Sequence, residues 1–186
     1  MKTSTPDFEF LDSVLEKVKA AGFDQVEVLA STDTATEMQI DAGEISLLRN
    51  TENIGLTLRG ISGGRYATIA LNQIDDKSVD SGILKLREAA KSAPIDSARA
   101  FAPKQELKPI DEGPKAASLE QMYERLNAFG EKVAKSFPEL LLDQSALKFV
   151  RGRQLRLNSL GLKVDESEGL YSAFAMFSSK RDERTS

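Results

Sequence analysis

From Asp7 to Ala21 the apolar residues Phe8, Leu11, Leu15 and Val18 recur at helical spacing and define one face of an amphipathic helix. Thr5 and Pro6 suit its start and Gly22 its stop. The period then changes to two. Val26, Val28 and Ala30, then Met38 and Ile40, then Ile45 and Leu47 alternate with other positions, which predicts strands with one buried face. Asp41-Ala42-Gly43-Glu44 lies between the second and third of these, where Gly43 can supply the positive φ of a tight hairpin. A further pair, 53–59 with Ile54, Leu56 and Leu58 inward and 65–71 with Ala67, Ile69 and Leu71 inward, is joined through Ser62-Gly63-Gly64. Asp75 or Asp76 then caps a helix whose stripe is Val79, Ile83, Leu86 and Ala90, ending before Pro94. The first half therefore predicts a helix, an antiparallel meander of about five strands, and a helix.

Periodicity lapses next, and Pro94, Pro103, Pro109 and Pro114 all fall in this stretch, so 94–117 is expected to be a Pro-rich connection. Ser118-Leu119-Glu120-Gln121 has the form of a capping box and opens a helix with Leu119, Met122, Leu126, Phe129 and Val133 on one side, closed by Pro138. Three more strands are expected at 140–151, 153–157 and 170–179, with Asn158-Ser159-Leu160-Gly161 as a turn between the last two. The fold class is α+β: antiparallel or mixed sheets with amphipathic helices packed on one face, a helix-then-meander plan appearing in both halves. The expected organisation is a first lobe over 1–93, the connection over 94–117 and a second lobe over 118–186. The last strand runs into Lys180-Arg181-Asp182-Glu183-Arg184 with no closing element, so the chain is expected to continue into a further, catalytic-type domain.

The composition sharpens this picture chiefly through its zeros. Among 186 residues there is no His and no Cys. That removes Ser-His-Asp and Cys-His nucleophile activation, imidazole acid–base chemistry, and His- or thiolate-ligated metals. No catalytic residue and no metal ligand is assigned, and no cofactor is expected in this chain. Met1-Lys2-Thr3-Ser4-Thr5-Pro6 has no apolar leader, and no apolar run approaches the roughly 20 residues a membrane helix needs, so a cytoplasmic protein without membrane contact is expected. The net charge of -4 weighs against a dedicated nucleic-acid binder.

Four constellations remain. Gly60-Ile61-Ser62-Gly63-Gly64-Arg65 resembles a phosphate loop in composition but leads into a strand rather than a helix, so a hairpin turn is expected. Lys148, Arg151, Arg153 and Arg156, followed by Lys163, form a basic strip with Phe149 among them. A nucleic-acid groove would want them on one face, whereas a solvated outer face balanced by Asp165, Glu166 and Glu168 suits the acidic total better. Glu37, Asp41 and Glu44 flank one hairpin without calcium-loop spacing and are expected to be solvated edge charges. The strand from Leu170 is apolar on both faces, with Tyr171, Ala173, Ala175 and Phe177 on one and Phe174 and Met176 on the other; it is the candidate interface strand.

The order of these signals resembles the N-terminal domain of the TldD/PmbA family, formerly labelled modulators of DNA gyrase. The resemblance rests on Ala21-Gly22-Phe23-Asp24-Gln25-Val26-Glu27-Val28, on Asp41-Ala42-Gly43-Glu44-Ile45, and on Asn53-Ile54-Gly55-Leu56-Thr57-Leu58-Arg59 leading through Gly63-Gly64-Arg65 to Tyr66-Ala67. Asn158-Ser159-Leu160-Gly161 is similar to the family's Asn-Ser-x-Gly turn, and Tyr171-Ser172 to its Tyr-Ser strand. The family-like turn residues are thus Gly43, Gly63, Gly64, Asn158, Ser159 and Gly161. The resemblance implies a two-domain metallopeptidase whose zinc, held by a His-Glu-x-x-x-His helix and a distant Cys, belongs to a C-terminal domain. It also implies homo- or heterodimers with a second family subunit, one of which can lack the zinc motif, and unfolded peptide as substrate in peptide maturation or degradation. On that basis the chain is expected to be a non-catalytic domain for substrate admission and assembly. The alternative from another class is a stand-alone, non-enzymatic module that binds peptide or nucleic acid.

Overall fold

Three helices form where the helical period holds, and each is capped by a side chain that accepts from an otherwise unpaired backbone N–H. Helix α1 (Phe8–Ala20) begins behind Asp7, whose carboxylate accepts from Phe10 N at 2.8 Å. The cap is therefore Asp7 rather than Thr5, because only a short side chain two or three residues before the acceptor-seeking N–H closes that ring. Asp75 caps α2 (Asp76–Ser92) through Ser78 N, and Ser118 caps α3 (Leu119–Ser136) through Gln121 N. The computed structural model describes residues 5–106, 108–181 and 184–185. Met1–Ser4 of the expected leaderless start and the Asp182-Glu183 pair at the expected strand end lie outside these residues.

The strands are longer and fewer than alternation alone predicts. β1 (Gln25–Asp41) and β2 (Glu44–Ser62) are each continuous, and β3 is Arg65–Leu71, so the first meander has three strands rather than about five. Likewise β5 (Leu140–Asn158) runs unbroken through the expected gap, and β6 (Lys163–Arg181) starts well before Leu170. Two short strands complete the set: β4 (Ile110–Glu112), inside the connection, and β7 (Arg184–Thr185). The polar stretches that looked like breaks stay extended because their side chains pair across strands. Thr36 donates to Asn50 at 2.8 Å, Asn53 to Asp33 at 2.8 Å, and Arg49 to Glu37 at 2.5 Å.

The hydrogen-bonded strand order is β3-β2-β1-β5-β6-β4, with β7 also on β6. Both early hairpins use paired left-handed residues, Ala42 and Gly43 for β1–β2 and Gly63 and Gly64 for β2–β3, which is the two-residue turn whose twist suits a hairpin. In β2–β3 the register runs from Ser62 opposite Arg65 to Leu56 opposite Leu71, which sets Leu58 opposite Ile69. The whole is an α+β protein, as the sequence predicts.

Two compact units emerge, and they interleave along the chain. Unit 1 comprises 1–33, 53–111 and 152–167; unit 2 comprises 34–52, 112–151 and 168–186. In unit 1 the inner stripes of α1 (Leu11, Val14, Leu15, Val18) and α2 (Val79, Ile83, Leu86, Ala90) form one buried cluster with Val26, Val28, Leu56, Leu58, Ala67, Leu155 and Leu157 from the strands. Gly82 lets α2 approach closely, since a Cβ there would meet Leu71 Cδ1 at 2.9 Å. In unit 2 a smaller cluster joins Met122 and Leu126 of α3 to Met38 and Ile40 of β1, with Ala117, Leu147 and Tyr171 packed against it.

Candidate functional site

β6 carries the candidate interface residues, and its alternation divides them between two faces. Tyr171 turns toward the unit 2 core: its ring lies 4.8 Å from Phe149 and its hydroxyl accepts from Ser118 N at 3.1 Å, tying the strand to the cap of α3. Phe177 shares that parity and meets Phe129 of α3 edge-on at 6.2 Å. The opposite parity holds Phe174 and Met176, and with them Leu170, which the sequence places in the strand without singling it out. These three are 56%, 48% and 61% exposed, a run of apolar side chains in solvent. The signal that would have found Leu170 is its even spacing with Phe174 and Met176.

The edge of β6 matters as much as its face. Among the described residues, β4 and β7 are the strands that pair with β6 besides β5, and they are three and two residues long against the nineteen of β6. Between Leu170 and Ser179 the strand carries no charged side chain. Natural edge strands are usually blunted by charge, proline or a bulge, and this one has neither charge nor proline there. β4 is held close at the other end of this strand. A Cβ on Gly113 would meet the carbonyl oxygen of Gly169, and one on Gly169 that of Pro114, so two glycines permit the backbones to touch.

The basic residues do not form one free strip. Lys148 and Arg151 belong to unit 2, Arg153 and Arg156 to unit 1. Arg151 donates to the Glu112 carbonyl at 3.0 Å. Arg153 grips Asp165 through two bonds, Nε to Oδ1 at 2.9 Å and Nη2 to Oδ2 at 2.8 Å. This hydrogen bonding holds the Asp165 carboxyl below its ordinary value and raises the Arg153 guanidinium, while partial burial and the nearby Asp111 oppose the shift on Asp165. Lys163 reaches Asp12 at 3.4 Å and lies over the Phe8 ring. Arg156 is half-buried, with its Nε enclosed and without a hydrogen-bond partner among the described residues. Lys148 is exposed.

The family-like turns are structural. Asn158 is 2% exposed; its side-chain oxygen accepts from Leu160 N at 3.0 Å and Leu162 N at 3.1 Å, and its amide donates to the Ala102 carbonyl at 2.8 Å. Ser159 is bonded on both sides of Val26, donating its N–H to Val26 O and accepting Val26 N–H on Oγ. Gly161 takes the left-handed conformation that lets the turn close, as do Gly43, Gly63 and Gly64 in theirs. A sheet-face ion pair, Glu27 with Arg59 at 2.7 Å, was not singled out from the sequence. Glu27 stands between Val26 and Val28 in a strand and is 5% exposed.

The donor set does not fit the zinc that the family resemblance implies for a further domain. The chain has neither His nor Cys, and among the described residues no three carboxylates converge as a metal site would need. Glu37 is paired with Arg49, and Gln39 donates to Asp41, so Glu37 and Asp41 make separate local contacts, while Glu44 is exposed. Among the described residues no helix is long and apolar enough to cross a membrane.

Residues 26–93 match the sequence profile described as PmbA/TldA metallopeptidase domain 1. No curated protein matches the chain in sequence. Among solved structures, TldE from Thermococcus kodakarensis superposes with a TM-score of 0.76 at 17% identity, over 95% of this chain and 40% of that one. A candidate modulator of DNA gyrase from Bacteroides thetaiotaomicron gives 0.74 at 19% identity, over 100% and 44%. A like-named protein from Thermotoga maritima gives 0.70 at 16%, over 96% and 41%. The chain thus spans about two-fifths of the length of the structures whose fold it shares. Residues 26–93 thus match the first domain of the PmbA/TldA metallopeptidase family, and the chain as a whole shares the fold of TldE and the two gyrase-modulator structures.

Proposed function

We propose that this chain is the non-catalytic, N-terminal part of a TldD/PmbA-type metallopeptidase subunit, where it admits extended peptide and supports assembly with a second family subunit. The observation that carries this reading is the outer side of β6. An edge that, among the described residues, only the short β4 and β7 pair with, flanked by exposed Leu170, Phe174 and Met176, suits recognition by strand addition. Backbone hydrogen bonds supply affinity without sequence demands, and alternate apolar positions prefer uncharged side chains. That matches an enzyme whose substrates are unfolded peptides. Hydrolysis itself is assigned to zinc chemistry elsewhere in the subunit or its partner, because this chain offers neither imidazole nor thiolate.

The nucleic-acid alternative draws less support, because Arg151 and Arg153 are engaged by Glu112 and Asp165 rather than presented to solvent as a pair. The test uses the whole protein, alone and mixed with a zinc-bearing family subunit, on an unfolded peptide with and without chelator. Chelator-sensitive cleavage that falls at least about tenfold in the double variant Phe174→Asp, Met176→Asp is the expected result. No metal-dependent cleavage under either condition overturns the peptidase reading, and cleavage unchanged in the double variant overturns the role of β6.

A further inference from the structure

A cavity of about 440 Å³ opens in unit 1 where the end of α1 meets the last turns of α2 and the start of β3. Its size falls within the range of small-molecule sites. Arg65, Arg87 and Lys91 line it together with Ala21, Phe23 and Ala90, and among the described residues no carboxylate lines it. Three cations facing one space repel one another unless something negative joins them.

The acids on the surrounding elements are otherwise engaged. Asp24 accepts from Gly63 N at 2.7 Å, and Asp96 accepts from Ala98 N and pairs with Arg99. Glu88 pairs with Lys91 at 2.6 Å, but both side chains are about two-thirds exposed, so this contact is weak and easily exchanged. Arg65 donates to the Ala93 carbonyl just beyond α2. That bond fixes the guanidinium in place without neutralising it, and it leaves the other donors of the planar fork available. Arg65 and Lys91 also suit the carbonyl-rich end of α2, as cations there do. Arg87 is less engaged: it lies a full turn before Lys91 on the same side of the helix, is exposed, and, though its charge helps hold the Glu88 carboxyl below its ordinary value, makes no close salt bridge among the described residues.

We propose that this cavity binds an oxyanion, the carboxylate or phosphate group of a small ligand, with Arg65 as the anchored contact and Arg87 and Lys91 closing on it. Guanidinium groups meet both anions through paired N–H donors, so the chemistry is shared and the bearer is what the experiment separates. The Gly60–Arg65 segment thereby contributes to an anion site through Arg65 after its hairpin turn, not through a phosphate loop.

Inorganic phosphate and succinate are titrated separately into the ¹⁵N-labelled protein at low salt, with chloride as the control, following the backbone amides of residues 22–23, 62–65 and 87–93. Saturable shifts confined to these amides are expected, and Arg87→Ala weakens them at least about fivefold while the melting temperature stays unchanged. Arg87→Glu abolishes them. Response to phosphate alone assigns a phosphate-bearing ligand, and response to succinate alone a carboxylate-bearing one. Absence of saturable shifts with both anions, equal shifts with chloride, or unchanged binding in Arg87→Glu overturns the site.

Discussion

Unit 1 and unit 2 are built from the same four long strands, yet they bury themselves differently. Among the described residues the unit 1 cluster holds seventeen buried apolar side chains and the unit 2 cluster four. Large apolar residues left in solvent run the other way: Leu84, Ile95, Ile110 and Leu160 in unit 1, but eleven in unit 2, including Leu170, Phe174 and Met176. Each fully buried side chain contributes roughly 1.5–3 kcal/mol, so unit 1 can stand on its own core while unit 2 has much of its apolar surface still to cover.

The largest break in that comparison comes from the cores themselves. Leu58→Ala, at a position with no exposure, is expected to cost about 2–5 kcal/mol and lower the global melting transition. Met122→Ala removes one of four buried side chains in the lesser core. It is expected to act locally, with hydrogen exchange across α3 rising to the solvent-exposed level before the main transition moves. If both variants shift one common transition equally, the two units are not separable in stability.

Next in size is Asn158→Ala, which strands the Leu162 and Leu160 N–H groups and the Ala102 carbonyl, for an expected loss of about 2–3 kcal/mol by chemical denaturation. A smaller effect follows from Asp165. Its carboxyl is held below the ordinary value in the fold by Arg153, so the folded state prefers the ionised form. The resulting stability is present above about pH 4 and is lost as the pH falls through the folded value, when both states become protonated. Because the pair is partly solvated, the contribution is below about 1 kcal/mol, and Asp165→Asn should flatten the stability profile in that acid window alone. Smallest of all in stability is Phe174→Lys. It is expected to change unfolding by less than about 0.5 kcal/mol while reducing self-association in light scattering, which would separate surface stickiness from core defect.

The helices and turns were legible because each carries its own chemistry: caps at Asp75 and Ser118, left-handed glycines at 43, 63, 64 and 161. The length of the strands was not. Polar Ser31–Thr36, Arg49–Asn53 and Arg151–Gly152 read as interruptions, yet the unit boundaries at 33/34, 52/53 and 151/152 fall inside them. In these stretches cross-strand polar pairs such as Thr36 with Asn50 and Asp33 with Asn53 take the place of apolar alternation, while the strand hydrogen bonding continues. The exposed side of β6 was visible as an excess of apolar residues, since Phe174 and Met176 break the expected polar parity. The cation cavity was not visible, because Arg65, Arg87 and Lys91 come together only through the packing of α2 on β3.

The pair of hydrogen bonds between Val26 and Ser159 spans 133 residues of chain. Its consequence lies in time rather than in energy. Unit 1 draws Leu155 and Leu157 into its core from the same late segment, so during synthesis α1, β1, β2, β3 and α2 emerge long before their sheet can be completed. Closing so long a loop adds entropic cost and slows folding in topologies of high contact order. The nascent chain therefore waits with one side of β1 unpaired until the Asn158–Gly161 turn arrives, a window in which a chaperone or a misplaced strand competes for that edge.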